Sequence, residues 1–113
     1  MGDAAISPLA QAMNRLWAKH LPQMEERVAS LRDAAEHLAK GALTEDEQQR
    51  AGAEAHKLAG VLGTFGLTEG TELAREAEDL YGSELEAEPG VAQRLSLIAE
   101  QLKAVILRRG QVS

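Results

Sequence analysis

Ala55-His56-Lys57-Leu58-Ala59-Gly60-Val61-Leu62-Gly63-Thr64-Phe65-Gly66 is the stretch that decides how this chain folds. Ala51, Ala55, Leu58, Leu62 and Phe65 recur at spacings of three and four, which predicts one apolar stripe on a helix ending near Phe65-Gly66. At about 100° per residue, His56 lies roughly 140° from the centre of that stripe and points outward. Around it, one or two turns away, stand Gly52, Ala53, Ala59, Gly60 and Gly63, and none reaches past a Cβ. A glycine inside a helix costs roughly 0.8–1 kcal/mol relative to alanine, so Gly52, Gly60 and Gly63 together give up about 2–3 kcal/mol. Two arrangements offset such a loss. Another backbone packs closely against this face, or the face is a bare surface across which another molecule reaches the imidazole. Spacing alone leaves both open, and in the first of them His56 is an incidental surface histidine.

Outward from this stretch, the chain reads as helix throughout. Thr44-Glu45-Asp46-Glu47 is a capping box that starts the central helix, with Thr44 at N-cap and Glu47 three residues on. Upstream, Ser7-Pro8 opens a short helix predicted over about Pro8 to Lys19, with Ile6, Leu9, Met13, Leu16 and Trp17 at helical spacing. Pro22 is expected to break or kink it. Leu21, Met24, Val28, Leu31, Ala35 and Leu38 mark the next stripe, and Gly41 its stop. Downstream, Thr68-Glu69 opens a helix with Leu73, Ala77 and Leu80 inward and Tyr81 alongside. A polar loop follows over Gly82 to Glu88. Pro89 then suits the first turn of a last helix with Leu95, Ile98, Ala99, Leu102, Val105 and Ile106 inward and Arg108 and Arg109 at its negative end. The expected fold is all-α: an antiparallel up-down four-helix bundle with a short N-terminal helix across one end, in a single domain over residues 1–113.

Composition agrees and excludes several functions. A chain of 113 residues builds one modest core, and with only Trp17, Phe65 and Tyr81 as aromatics, Leu and Ala must fill it. The net charge of −6, with no basic cluster beyond Arg108-Arg109, argues against a nucleic-acid partner. No apolar run approaches the ~18 residues of a membrane span and no signal segment opens the chain, so a soluble cytoplasmic protein without a membrane partner is expected. The absence of cysteine removes disulfide and thiolate chemistry. Asp and Glu are scattered over solvated faces without a metal-ligand pattern, and the glycines lie along a helix rather than in a phosphate-binding loop, so neither metal nor cofactor is expected on this chain.

The run His56, Leu58, Gly60, Gly66, Leu73 and Glu78 resembles the signature of histidine-containing phosphotransfer domains, roughly H-x-L-x-G-x5-G with a leucine and an acidic residue one helix later. The recognisable part spans about Ala53 to Leu80. The resemblance implies that His56 carries a phosphoryl group on its imidazole and that Gly60 keeps the approach clear. It implies partners as well: a response-regulator receiver domain, a hybrid sensor kinase, or both, with the receiver supplying an aspartate and Mg²⁺. The family commonly has lysine three residues after the histidine. Here that position is Ala59, and a lysine follows the histidine directly as Lys57.

A neutral imidazole is a competent nucleophile near neutral pH, and an exposed one needs little activation to attack phosphorus. Lys57 lies about 100° round the helix from His56, where its stem either curls toward a phosphoryl oxygen or stays solvated. Glu78 either accepts from an imidazole N–H and fixes its tautomer, or pairs with Arg75 or another surface cation. His20 and His37 lie near predicted helix ends, among long neighbours, and suit surface or capping roles. The leading expectation is a phosphocarrier without kinase activity of its own, and the rival is a non-catalytic interaction module with an idle histidine.

Overall fold

The computed structural model describes residues 7–85 and 90–111. They form four α-helices and no strand: α1 (Pro8–Ala39), α2 (Glu45–Thr64), α3 (Thr68–Tyr81) and α4 (Val91–Gln111). Successive helices pack antiparallel, and α4 closes back on α1. The four therefore form a ring in which the α1/α4 edge lies opposite the α2/α3 edge. This is the expected four-helix bundle, with a core built from leucine, alanine and a few larger side chains.

The helix ends form where the sequence puts its caps. Ser7 Oγ accepts from the Ala10 N–H at 3.0 Å, and Thr44 Oγ1 accepts from the Glu47 N–H at 3.1 Å. The Glu47 carboxylate engages His37 Nδ1 at 2.7 Å, tying the last turn of α1 to the first turn of α2. Gly41 and Gly66 have φ of +71° and +70°, the left-handed conformation that stops a helix. At Gly66 the Leu67 N–H donates back to Leu62 O at 3.0 Å, which reverses the chain and lays α3 beside α2. His56 owes its neighbours on α3 to that turn.

Four expectations are corrected. The separate N-terminal helix does not exist, because α1 runs unbroken for 32 residues through Pro22. An interior proline costs about 3 kcal/mol or more, but Pro22 and Ala18, the residue whose helical donor the proline removes, both lie on the exposed side. On the other side Trp17 and Met24 are both buried, holding the turns before and after the proline to one core. The apolar stripe predicted for the first turns is mostly uncovered: Leu9 is 72% exposed, and Leu16 is exposed as well. The reason is that α2 ends beside Trp17, whose ring meets that of Phe65 edge-on at 5.1 Å, so α1 projects past the α2–α3 turn. On α3 the order of burial is reversed, with Tyr81 in the core and Leu80 only half-buried. Within the polar loop, Leu85 is buried. The readings of Ile6 and Pro89 fall outside the described residues, whereas all six inward positions predicted for α4 are buried.

Candidate functional site

The apolar face of α2, made by Ala51, Ala55, Leu58, Ala59 and Leu62, is buried, and this fixes the helix rotation. His56 then emerges with 74% of its side chain exposed. On α3, burial of Leu73, Ala74, Ala77 and Tyr81 brings Glu78 out at the seam with α2. His56 Nδ1 lies 2.9 Å from Glu78 Oε2. An ionised carboxylate only accepts hydrogen bonds, so a neutral ring in this contact would carry its proton on Nδ1 and leave the Nε2 lone pair free. Of the two partners open to Glu78, the imidazole is the one it meets, and Arg75 is not involved.

The small residues around His56 differ in what stands beside them. At Gly60 an added Cβ would meet nothing within 4 Å, so no neighbouring helix accounts for this glycine. At Gly52 and Gly63 an added Cβ would stand 3.7 Å from Tyr81 Cβ and Thr71 Oγ1, an ordinary contact with α3. Ala53 is exposed, in keeping with an open face. Ala59 departs from its expected place on the cleared face. It is 7% exposed, because its rotation brings it next to Ala55 and Leu62 on the buried stripe. Lys57 is exposed and borders, with Gly52, Ala53, His56 and Glu78, a shallow groove between α2 and α3.

Several supporting residues gave no signal in the sequence. Gln48 Nε2 donates to the carbonyls of Tyr81 at 2.8 Å and Ser83 at 3.2 Å, holding the end of α3 against α2 beside the groove. Gly70 is a packing glycine: an added Cβ would stand 3.0 Å from Leu62 Cδ1 and 3.1 Å from Val105 Cγ1. At the far end Arg109 lies over the Trp17 ring at 5.1 Å and donates to Asn14 Oδ1 at 2.9 Å. Of the other histidines, His37 is taken up by Glu47, and His20 has no hydrogen-bond partner among the described residues. No group of three or more His, Cys, Asp or Glu among the described residues is arranged to hold a metal ion, and no helix there is long and apolar enough to cross a membrane.

Residues 7–106, which include the whole site, match the Hpt domain family. The chain belongs to that family. Domains of this family are the histidine-phosphotransfer modules of phosphorelays. The chain is also 32% identical over 91 residues to Protein RcaC of Microchaete diplosiphon, an alignment covering 80% of this chain and 14% of that protein. It thus spans only a small part of the length of this relative. No solved structure matches the chain.

Proposed function

We propose that His56 is the phosphoacceptor of this Hpt domain and that it carries a phosphoryl group between phospho-aspartyl receiver domains. The observation that carries this reading is the contact of Nδ1 with Glu78 at 2.9 Å on a side chain otherwise open to solvent. With its proton held at Nδ1, the ring offers the Nε2 lone pair to phosphorus. An N–P bond forms as the P–O bond of the aspartyl phosphate breaks, and the electron pair leaves with the aspartate as carboxylate. The ring gains positive charge as it is phosphorylated. Glu78 stands beside that charge and keeps the Nδ1 proton, so no proton need be lost in the forward step and none regained in the reverse.

Gly60 and Ala53 support the same reading, because a receiver's aspartate must come within bonding distance of Nε2 and both leave that approach low. Lys57, on the rim of the groove, is the cation of this chain nearest in sequence to His56. The receiver is expected to bring its own Mg²⁺. The partners proposed are a response-regulator receiver domain and a hybrid sensor kinase.

The test is phosphoryl uptake from a phosphorylated receiver, read as acid-labile, base-stable phosphate. His56→Gln should abolish uptake while receiver affinity stays near the parent's and stability shifts by no more than about 0.5 kcal/mol, as at most exposed positions. His20→Gln and His37→Gln should still be labelled. A parent that no phospho-receiver labels would make the domain an interaction module, and labelling that persists in His56→Gln would move the site elsewhere.

A further inference from the structure

On the far side of the bundle from His56, the α1/α4 edge carries a groove of about 370 Å³ with an apolar floor. Leu21, Val28 and Ala29 of α1 and Ile106 and Leu107 of α4 line it, and Leu107 is 52% exposed. Three charged residues rim it: Glu25 and Arg32 on α1 and Lys103 on α4. Among the described residues Glu25 and Lys103 have no ion-pair partner, and Arg32 has only its chain neighbour Asp33 at 3.9 Å. The groove thus has an apolar centre and unneutralised charges at its edge, the composition of a protein contact rather than of a solvated face.

The placing of those charges points to one occupant. Glu25 and Arg32 stand seven residues apart, two turns of helix, and so share one face about 10.5 Å apart along the axis. Their midpoint falls between Val28 and Ala29, and the half-buried alanine is where a second helix can come closest. If another α1 crosses antiparallel with a two-fold axis at that midpoint, each Glu25 meets the Arg32 of the other copy. Both contacts form together, because under a two-fold axis a contact of one residue with another implies its mirror contact. The pattern is self-complementary: negative and positive charges stand at equal distances on either side of the Val28/Ala29 midpoint, with the half-buried alanine beside it.

We infer that the α1/α4 groove is a self-association surface and that its occupant is a second copy of this chain, packed antiparallel along α1. The α2/α3 edge lies opposite, so both His56 side chains remain free in the pair, and phosphotransfer and pairing use different faces.

Sedimentation equilibrium of the full chain, from sub-micromolar to millimolar concentration, tests this. The parent should pass from monomer to dimer. Glu25→Arg or Arg32→Glu alone sets like charges against each other at both symmetric contacts and should weaken the dimer about tenfold, equivalent to about 1.4 kcal/mol. The double variant Glu25→Arg/Arg32→Glu exchanges the two signs and should return the dissociation constant to the parent's. Ala29→Arg, which fills the crossing point, should leave only monomer. Circular dichroism should be the same for all variants, since none of these positions is buried. A parent that stays monomeric throughout assigns the groove to a different chain and overturns the inference. So does a dimer indifferent to the single reversals, or a double variant no tighter than the singles.

Discussion

Gly60 and Gly70 are both helical glycines, yet replacing each by alanine should move stability in opposite directions. An alanine at Gly60 recovers the helix propensity that glycine forgoes, about 0.8–1 kcal/mol, and its methyl group meets nothing within 4 Å. The melting temperature should therefore rise by about 3–4 °C. At Gly70 the propensity gain is the same, but the methyl group lies 3.0 Å from Leu62 Cδ1 and 3.1 Å from Val105 Cγ1, and both side chains are buried with little room to yield. Overpacking of this kind costs about 1–3 kcal/mol, so Gly70→Ala should come out neutral to destabilising by about 2 kcal/mol. Of the two, the open position is the one where a longer side chain should harm function. Gly60 is one turn from His56 and about 40° from it round the helix, so Gly60→Leu keeps good helix propensity while raising a side chain beside the imidazole. Thermal melts followed by circular dichroism, with phosphoryl uptake measured on the same samples, read both effects. The reasoning fails if Gly60→Leu takes up phosphate at the parent's rate, or if Gly60→Ala is less stable than the parent.

Two further outcomes follow from side-chain contacts. Glu78→Gln keeps an acceptor for the Nδ1 proton but loses the charge beside the ring; uptake should slow about two- to fivefold with little change in melting temperature, because the pair is exposed. An unchanged rate would show that Glu78 does not assist His56. Burial, with a smaller contribution from the charge of Glu47, pushes the Tyr81 hydroxyl well above its ordinary pKa of 10, and its hydrogen-bond acceptor among the described residues, Leu31 O, is a distant 3.5 Å away. A raised folded-state pKa contributes stability that is complete below the unfolded value and lost as pH climbs past it, so the parent should lose stability above about pH 10 more steeply than Tyr81→Phe; equal slopes would contradict the assignment.

The bundle was legible in the sequence because apolar spacing, the caps at Ser7 and Thr44 and the stops at Gly41 and Gly66 all agree on where the helices lie. His56 was legible for the same reason, since rotation about a helix whose buried stripe is known fixes the outward face. What escaped depends on tertiary contacts. Pro22 reads locally as a break, but whether a helix survives a proline is decided by the core on its opposite side, here Trp17 and Met24. Leu9 and Leu16 read as core, but nothing in their spacing tells that α2 stops short of them. Gly70 and Gly60 look alike in sequence, and only the neighbouring helices separate a glycine that packs from one that leaves space. The partner of Glu78 was equally hidden, because Arg75 was near along the chain and His56 near only across the α2–α3 seam.

The same seam bears on the lysine that the family commonly has three residues after its histidine. Here that position is Ala59, 7% exposed and packed with the buried stripe. A lysine there would have to draw its stem out of a close-packed contact, so Ala59→Lys should destabilise the bundle by about 1–3 kcal/mol. A positive charge near the phosphoryl group is therefore better carried on the exposed face, where Lys57 borders the same groove as His56 and Glu78. If Lys57 acts in this way, Lys57→Gln should slow uptake several-fold and make the rate less sensitive to salt, because an exposed charge acting on a phosphoryl group is screened over about 10 Å at 0.1 M. Lys57→Arg should restore most of the rate, since it keeps the charge on a long flexible stem. Melting temperature should not change in either variant. Were Lys57→Gln to match the parent in rate and in salt dependence, Lys57 would be no more than a solvated side chain, and the positive charge at the phosphoryl group would have to come from the receiver.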